Sequence, residues 1–314
     1  AARTGELRTP GGIGRQAERL LKDPRSRSLV TNFANQWLYL RNLDSITPDG
    51  RLYPDFDHNL REAMRRETEM HVETVIEEDA SILQLIDCDF TFLNERLAKH
   101  YEIPHIYGER MRRVALPPDS QRGGLLRQGS ILTVTSYATR TSPVIRGHWV
   151  LENLFGTPPP PPPPDIPALE DSAVDANLPV RQRLAKHREN PACASCHDVM
   201  DPIGFAFEHF DAIGQWRTME ADLPVDAKGA LAHGKTFEGV AGLEAGMMEK
   251  PDYFVRTVVE KLLTYALGRG IESEDAPAIR KIVREAAEKE YRISSLIHHT
   301  VTSEPFLYRT TDKP

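Results

Sequence analysis

The chain has 314 residues, enough for two or three domains that each bury a core of their own. Hydrophobic residues make up 40% and charged residues 27%, proportions that are ordinary for a soluble globular protein. The net charge of −7, without any basic run, argues against a nucleic-acid binder. The sequence also lacks a run of about 20 apolar residues, the length that a helix needs to span a membrane.

The first half of the chain is predicted to be helical. Apolar residues such as Leu29, Phe33 and Trp37 recur at helical spacing, and Asp57 is the expected N-cap of a long helix. The run at 131–136 instead predicts one or two short strands, because it is rich in β-branched residues. The predicted helices cover residues 10–22, 25–40, 57–79, 81–86, 91–100 and 142–154.

Seven consecutive prolines occupy residues 158–164. Such a run forms a stiff polyproline II rod without backbone hydrogen-bond donors. We interpret it, with the acidic stretch that follows, as a linker over residues 157–176 that separates two domains. The alternative interpretation is a ligand for an aromatic groove.

The helical pattern resumes after the linker. Helices are predicted over 177–189, 252–267, 277–291 and 293–303, the second of them ended by Gly268. Residues 204–234 are rich in Gly, Asp and Pro, and we expect them to be irregular.

The most informative motif is Cys193-Ala194-Ser195-Cys196-His197. Its spacing is typical of a c-type haem attachment site: two thiols add to the haem vinyl groups, and the next residue presents an imidazole to the iron. The remaining Cys88 cannot complete a Cys₄ zinc site, and the strand context of a thioredoxin-like dithiol is missing. We therefore predict one covalently bound haem c, with His197 as the proximal ligand. Cytochrome c assembly outside the cytoplasmic membrane then implies a periplasmic or otherwise exported protein.

The sixth ligand of the iron is left open by the sequence. Met247 and Met248 lie 50 and 51 residues after His197, a distance typical of the distal methionine in class I cytochromes c. Met200 is rejected because a continuing helix would place it on the same side of the haem as His197. An open or water-bound position is also compatible with the sequence, as is ligation by one of four histidines, namely His209, His233, His298 and His299.

The fold class that follows is mainly α. We predict a helical domain of unknown function over 1–156, the linker, a cytochrome c-like haem domain over 177–270 and a helical extension over 271–314. The segment 262–267 resembles the C-terminal helix of class I cytochromes c, in which an aromatic residue faces the haem. That resemblance implies that Tyr265 contacts the cofactor.

The whole chain resembles the C-terminal half of planctomycete-type cytochrome c proteins, whose segments are domains of unknown function. The stretches that carry the resemblance are NFANQWL (32–38), TFLNERLAKHY (91–101), TRTSPV (139–144) followed by Arg146-Gly147, Leu151-Glu152-Asn153 before the prolines, MDPIGF (200–205), FDAIG (210–214), Trp216-Arg217 and residues 261–269. The resemblance implies an exported haem c protein in which Cys193, Cys196 and His197 are the residues that bind the haem. Since relatives have further N-terminal domains, we expect Ala1 to lie within a longer precursor.

Polar residues in these stretches have two possible roles. We hypothesise that Trp216 and Arg217 bind the haem propionates, because arginine forms strong paired hydrogen bonds with carboxylates. Arg140 and Arg146 would either do the same or anchor backbone carbonyls and acidic side chains between the domains.

Three functions are compatible with these features. The first is electron transfer to or from a partner protein through a single haem. The second is a haem enzyme, such as a peroxidase, with an open or weakly ligated distal site. The third is a scaffold subunit of a larger exported haem complex, whose partners would be other subunits or other domains of the precursor.

Overall fold

The computed structural model describes residues 1–160, 179–189, 191–231 and 234–308. Within these ranges the protein is mainly α-helical, as the sequence predicts, and its strands form short antiparallel pairs. Most of the predicted linker, including residues 161–164 of the proline run, lies outside the described residues. No helix in the described ranges is both long and apolar enough to cross a membrane.

The helices before the proline run begin where side chains can cap them. Asp57 accepts a hydrogen bond from the Leu60 amide at 2.7 Å, and Ser142 accepts one from the Ile145 amide at 3.2 Å. These helices are α1 (Pro10–Leu21), α2 (Asn35–Trp37), α3 (His58–Glu77), α4 (Glu95–His100), α5 (Gly129–Val134) and α6 (Pro143–Asn153), with a π-helical turn at Leu29–Ala34 before α2.

Four helices after the proline run lie where they were predicted, and those at 239–248 and 304–307 were not predicted. The helix over Pro251–Leu267 ends at Gly268, which has a φ of +66° and thus takes the left-handed conformation that favours glycine. These helices are α7 (Val180–His187), α8 (Pro191–Gly204), α9 (Gly239–Met248), α10 (Pro251–Leu267), α11 (Ala276–Ala287), α12 (Ile293–Val301) and α13 (Glu304–Leu307).

Three local predictions were wrong. Residues 204–234 are not irregular throughout, because short strands form at 219–220, 223–224 and 228–230. Residues 131–136 do not form strands, because α5 covers most of them; its side chains are buried on all sides, and a continuous apolar run does not distinguish a strand from a buried helix. Residues 91–93 are strand rather than helix, and α4 starts only after Asn94, whose side chain accepts from the Leu97 amide at 2.9 Å. The strand pairs are β1 (Phe90–Leu93) with β2 (Arg112–Ala115), β3 (Met219–Glu220) with β4 (Leu223–Pro224), and β5 (Lys228–Ala230) with β6 (Thr236–Glu238).

One main hydrophobic core runs through the described chain, from Val30 to Leu296. It contains Trp149 of α6, Met200 of α8 and Phe254 of α10, so it draws on both sides of the proline run. The core therefore continues across the expected boundaries at 157–176 and 270, and the division into domains stays a prediction.

A second, polar cluster is buried where α3 meets β1 and α4. Glu67 of α3 accepts hydrogen bonds from the Thr91 hydroxyl at 2.5 Å and from the Tyr101 hydroxyl at 2.6 Å. The guanidinium of Arg122 lies 3.6 Å from the centre of the Tyr101 ring. Burial raises the pKa of Glu67 to about 7, although these donors and Arg122 oppose the shift.

The raised pKa gives Glu67 a defined effect on stability. Between pH 4.5 and 7 the folded chain binds this proton more tightly than the unfolded chain, so the contribution of Glu67 to stability falls as the pH rises. Glu67→Gln removes that slope. Relative to the wild type, the variant is expected to gain about 2.5 kcal/mol of unfolding free energy on going from pH 5 to pH 8.

Urea unfolding of both proteins at the two pH values measures this difference. His71 and His100 have pKa values lowered to about 4 by burial and give the opposite slope, but they are the same in both proteins and cancel. The prediction would be contradicted if the unfolding free energies of the two proteins changed equally between the two pH values.

Candidate functional site

The predicted attachment motif lies in the first half of α8. Cys193 is buried, with 6% of its surface exposed, and Cys196 and His197 are half-buried one turn further along. Ser195, Asp198 and Val199 on the outer side are exposed. Because positions i, i+3 and i+4 share one face of a helix, the two cysteines and the histidine project to the same side.

A buried carboxylate holds the imidazole of His197. Nδ1 of His197 lies 2.9 Å from Oδ1 of Asp201, one turn further along α8, and Asp201 is 0% exposed. The other carboxylate oxygen of Asp201 has no hydrogen-bond partner among the described residues, and Nε of Arg188 is 3.9 Å from it. Arg188 also pairs with the exposed Asp198, at 3.7 Å.

Helix α8 crosses α6 at very short range. A Cβ atom on Gly147 would lie 2.0 Å from the carbonyl oxygen of Met200, and one on Gly204 would lie 1.8 Å from the carbonyl oxygen of Pro143. Both positions thus require glycine because backbone occupies the space of a side chain. The crossing fixes the motif helix to the first half of the chain. Helix α8 also continues without a break past Met200, which is the condition under which Met200 was rejected as a distal ligand.

The loop that follows α8, residues 205–217, is held by Arg146 of α6. The Arg146 guanidinium is buried and donates to the carbonyls of Phe207 and Phe210 at 2.8 Å and to that of Asp211 at 2.7 Å. Arg146 therefore anchors backbone carbonyls, the second of the two roles that its sequence position allowed.

Two further side chains from the first half bind the same loop. Nε2 of His100 donates to the carbonyl of Ile213 at 2.8 Å, and Arg122 donates to the carbonyl of Gly214 at 2.8 Å. Since burial lowers the pKa of His100 to about 4, this ring is neutral near pH 7. The carbonyls of Ile213 and Gly214 thus accept hydrogen bonds from side chains that are distant in sequence.

Glu208 is the buried negative charge in this loop. Its carboxylate accepts from the Thr141 hydroxyl at 2.9 Å and from Arg217 at 2.7 Å, and it lies 3.6 Å from Arg146. Burial raises the pKa of Glu208 while the two guanidinium groups oppose the rise; burial also lowers the pKa of Arg146 to about 10. The cluster is a compensated set of buried charges.

Replacing Arg146 by methionine is expected to be strongly destabilising. Arg146→Met leaves Glu208 with one cation instead of two and removes a donor from three carbonyls, of which that of Phe210 has no other donor among the described residues. The loss should cost about 3–5 kcal/mol. Urea unfolding followed by circular dichroism measures the loss. The matched control is Arg41→Met, because Arg41 is exposed and donates to one carbonyl, that of Asn32, at 3.4 Å, so its loss should cost about 1 kcal/mol or less. Equal losses in the two variants would contradict the assignment.

Trp216 and Arg217 have protein partners in the structure. The Trp216 ring stacks on His209 with centroids 4.6 Å apart and meets Phe210 edge-on at 5.2 Å. Arg217 donates from Nε to the Glu208 carbonyl at 2.8 Å, besides its bond to the Glu208 carboxylate. Their binding of haem propionates stays a prediction.

Tyr265, for which the resemblance implied a cofactor contact, has a protein partner in the structure, and that contact stays a prediction. Its ring packs against Phe33, with centroids 5.5 Å apart, and 43% of its surface is exposed. Helix α10, which carries it, packs mainly against α11 and α12 rather than against α8. The principal contacts of Tyr265 thus lie with the first half of the chain.

The two candidate distal methionines differ in their surroundings. Met247 is buried and lines a cavity of about 380 Å³ together with Leu151, Ile203 and Tyr253. Met248 is only half-buried at the edge of the main core. Met247 thus shares a cavity with α8, since Ile203 lies near the end of that helix.

The candidate distal histidines are dispersed. Nδ1 of His209 lies 3.0 Å from the carbonyl oxygen of Arg217. His298 and His299 are on α12, which packs against α1 and α11, and His299 lies 3.0 Å from Glu285. His233 is outside the described residues. No group of three or more His, Cys, Asp or Glu side chains in the described ranges is arranged to hold a metal ion.

Sequence reasoning missed several residues of this region, among them His100 and Arg122, which bind the loop, and two acidic residues. Asp201 was noticed only as part of a family stretch, although its spacing of four from His197 places both on one helical face. Glu208 carried no signal, because its partners Thr141 and Arg146 are more than 60 residues away.

Three family models match consecutive parts of the chain, and together they define the class of protein. Residues 1–103 match "Protein of unknown function (DUF1592)", residues 122–220 match "Protein of unknown function (DUF1588)", and residues 233–306 match "Protein of unknown function (DUF1585)". These are the planctomycete cytochrome c-type domains. The chain therefore belongs to the planctomycete-type cytochrome c family, as its sequence resemblance predicts.

The second match has a structural counterpart. Residues 122–220 include α6, α8 and the loop 205–217, which are the elements joined by the glycine crossing and by Arg146. No curated protein and no solved structure matches the chain.

Proposed function

We propose that the chain is an exported mono-haem c-type cytochrome that passes electrons to or from a partner protein. The observation that carries the proposal is the position of the motif on α8, where Cys196 and His197 are half-buried beside the exposed Ser195, Asp198 and Val199. A haem attached at this point would keep an edge near the protein surface, and electron transfer between proteins requires such an edge.

The donor set fits a covalent haem c. Cys193 and Cys196 are free thiols on one helical face and would form the thioether bonds. Nδ1 of His197 is engaged by Asp201, so Nε2 is the nitrogen that would bind iron. Haem c supplies a one-electron ferric–ferrous couple when bound.

Export follows from the attachment chemistry, because the thioether bonds of haem c are formed outside the cytoplasmic membrane. The partner would be another redox protein or another domain of a longer precursor. The family supports a haem-related role. Met247, which lines a cavity together with Ile203 of α8, would be the second residue to bind the iron.

Absorption spectra of the ferric and ferrous protein, produced with a cytochrome c maturation system, test the proposal. Electron transfer predicts a six-coordinate, low-spin iron in both states and slow cyanide binding. A high-spin ferric iron that binds cyanide or reacts with peroxide rapidly would favour the haem enzyme instead. A chain that matures without covalent haem would overturn the proposal. Loss of the Met-to-iron charge-transfer band in Met247→Leu, with the band kept in Met248→Leu, would identify the distal ligand.

A further inference from the structure

The carboxylate behind His197 has a function that follows from its geometry. We propose that Asp201 is a positioning residue that orients the proximal imidazole and lowers the reduction potential of the haem. The inference rests on the proposed function, since it concerns the iron ligand of the attached haem.

The first step is the orientation of the ring. The Nδ1–H of His197 donates to Asp201 Oδ1 at 2.9 Å within one turn of α8. A histidine that ligates a metal through one nitrogen commonly donates its other ring N–H to a carboxylate, which fixes the tautomer and the ring plane. Asp201 therefore selects the tautomer whose Nε2 lone pair is available to a metal.

The second step is the electrostatics of the pair. Asp201 is 0% exposed, so water does not screen its charge from the imidazole. Its nearest cation among the described residues is Arg188, whose Nε is 3.9 Å from Oδ2, beyond hydrogen-bond distance. The negative charge is thus only partly compensated.

The third step is the effect on the iron. A carboxylate hydrogen-bonded to the distant nitrogen of an imidazole raises the basicity of the ligating nitrogen. A more electron-donating ligand favours the ferric over the ferrous state, and hydrogen bonding around the ligands is one of the means by which a protein sets the potential of a haem. Asp201 should therefore make the haem harder to reduce.

The glycine crossing keeps this arrangement rigid. Asp201 follows directly on Met200, whose carbonyl oxygen faces Gly147, and precedes Gly204, which abuts Pro143. A shift of the backbone that carries Asp201 relative to α6 would require the two helices to separate.

The experiment compares Asp201→Asn with Asp198→Asn in the haem-loaded protein. Both variants remove one negative charge within four residues of His197, and the asparagine at 201 can still accept the Nδ1–H bond. Asp198 is the matched control because its side chain is 65% exposed and pairs with Arg188 but not with His197. Potentiometric titration followed by absorption measures the potential of each protein.

Asp201→Asn is expected to raise the ratio of reduced to oxidised haem at least tenfold at a fixed ambient potential, equal to a shift of about 59 mV for one electron. Asp198→Asn should change that ratio less than twofold.

Haem-loaded Asp201→Asn with the wild-type potential would overturn this inference and leave the proposed function intact. A wild-type chain without covalent haem would overturn both. If Asp201→Asn does not fold, NMR of the wild-type ferrous protein decides: the His197 ring N–H should exchange slowly with solvent because a buried acceptor holds it, and rapid exchange would refute the role of Asp201.

Discussion

A Cys193→Ser/Cys196→Ser double variant is expected to carry no haem after denaturation. Serine hydroxyls do not add to vinyl groups under the conditions of haem attachment, so both covalent bonds would be lost while the shape of α8 is kept. Haem staining of a denaturing gel and the intact mass of the chain measure the loss. The expected effect is complete, because the motif supplies both of the thiols that the attachment requires.

The matched control for this variant is Cys88→Ser. Cys88 is the third free thiol of the chain, and burial raises its pKa to about 12, which keeps it protonated and unreactive. Its hydrogen bond to the Phe90 carbonyl, at 3.2 Å, can be made equally by serine. Cys88→Ser should therefore retain its full haem content. Covalent haem on the double variant, or its loss in the control, would show that attachment occurs elsewhere.

Gly204→Ala is expected to cause the largest loss of stability of any single methyl addition considered. The new Cβ would lie 1.8 Å from the carbonyl oxygen and 2.7 Å from Cα of Pro143, so α8 would have to move away from α6. Backbone atoms cannot move aside as a flexible side chain does. The expected cost is about 3 kcal/mol or more, and the variant should unfold at a clearly lower urea concentration.

Gly11→Ala provides the comparison, since it makes the same substitution inside helix α1. There the nearest atom to the new Cβ is the end of the Arg15 side chain, at 3.7 Å. This variant should be more stable than the wild type by about 0.5–1 kcal/mol, because alanine is the better helix former. Similar unfolding curves for the two variants would mean that the crossing tolerates separation.

The parts of the fold that the sequence predicted well are those with local signals. Asp57 and Ser142 cap their helices through their own side chains, and Gly268 ends α10, so each boundary depends on residues adjacent in the chain. The prediction of a strand at 131–136 was wrong because α5 is buried against α3 and other elements that are distant in sequence. The tertiary surroundings determine the conformation of that segment, and the local sequence pattern does not indicate them.

The same distinction applies to the candidate site. Cys193, Cys196 and His197 are recognisable because attachment chemistry dictates their spacing within five residues. The partner that Arg217 and Arg146 share is not recognisable from the sequence. Both arginines lie beside the Glu208 carboxylate only because the loop after α8 folds back against α6. An arginine can pair with a haem propionate as well as with a buried glutamate, and the sequence alone does not distinguish the two partners.

The hydrogen bonds from the first half of the chain to the loop 205–217 limit which fragments of this protein can fold alone. His100, Arg122 and Arg146 supply the hydrogen-bond donors for carbonyls of that loop. A fragment over 177–270, though it has the length of a small cytochrome, would lack all three donors and the helix that α8 crosses. The motif-bearing segment is therefore not a transplantable module: a chimaera between relatives would have to exchange the chain from α4 onward to keep its loop folded.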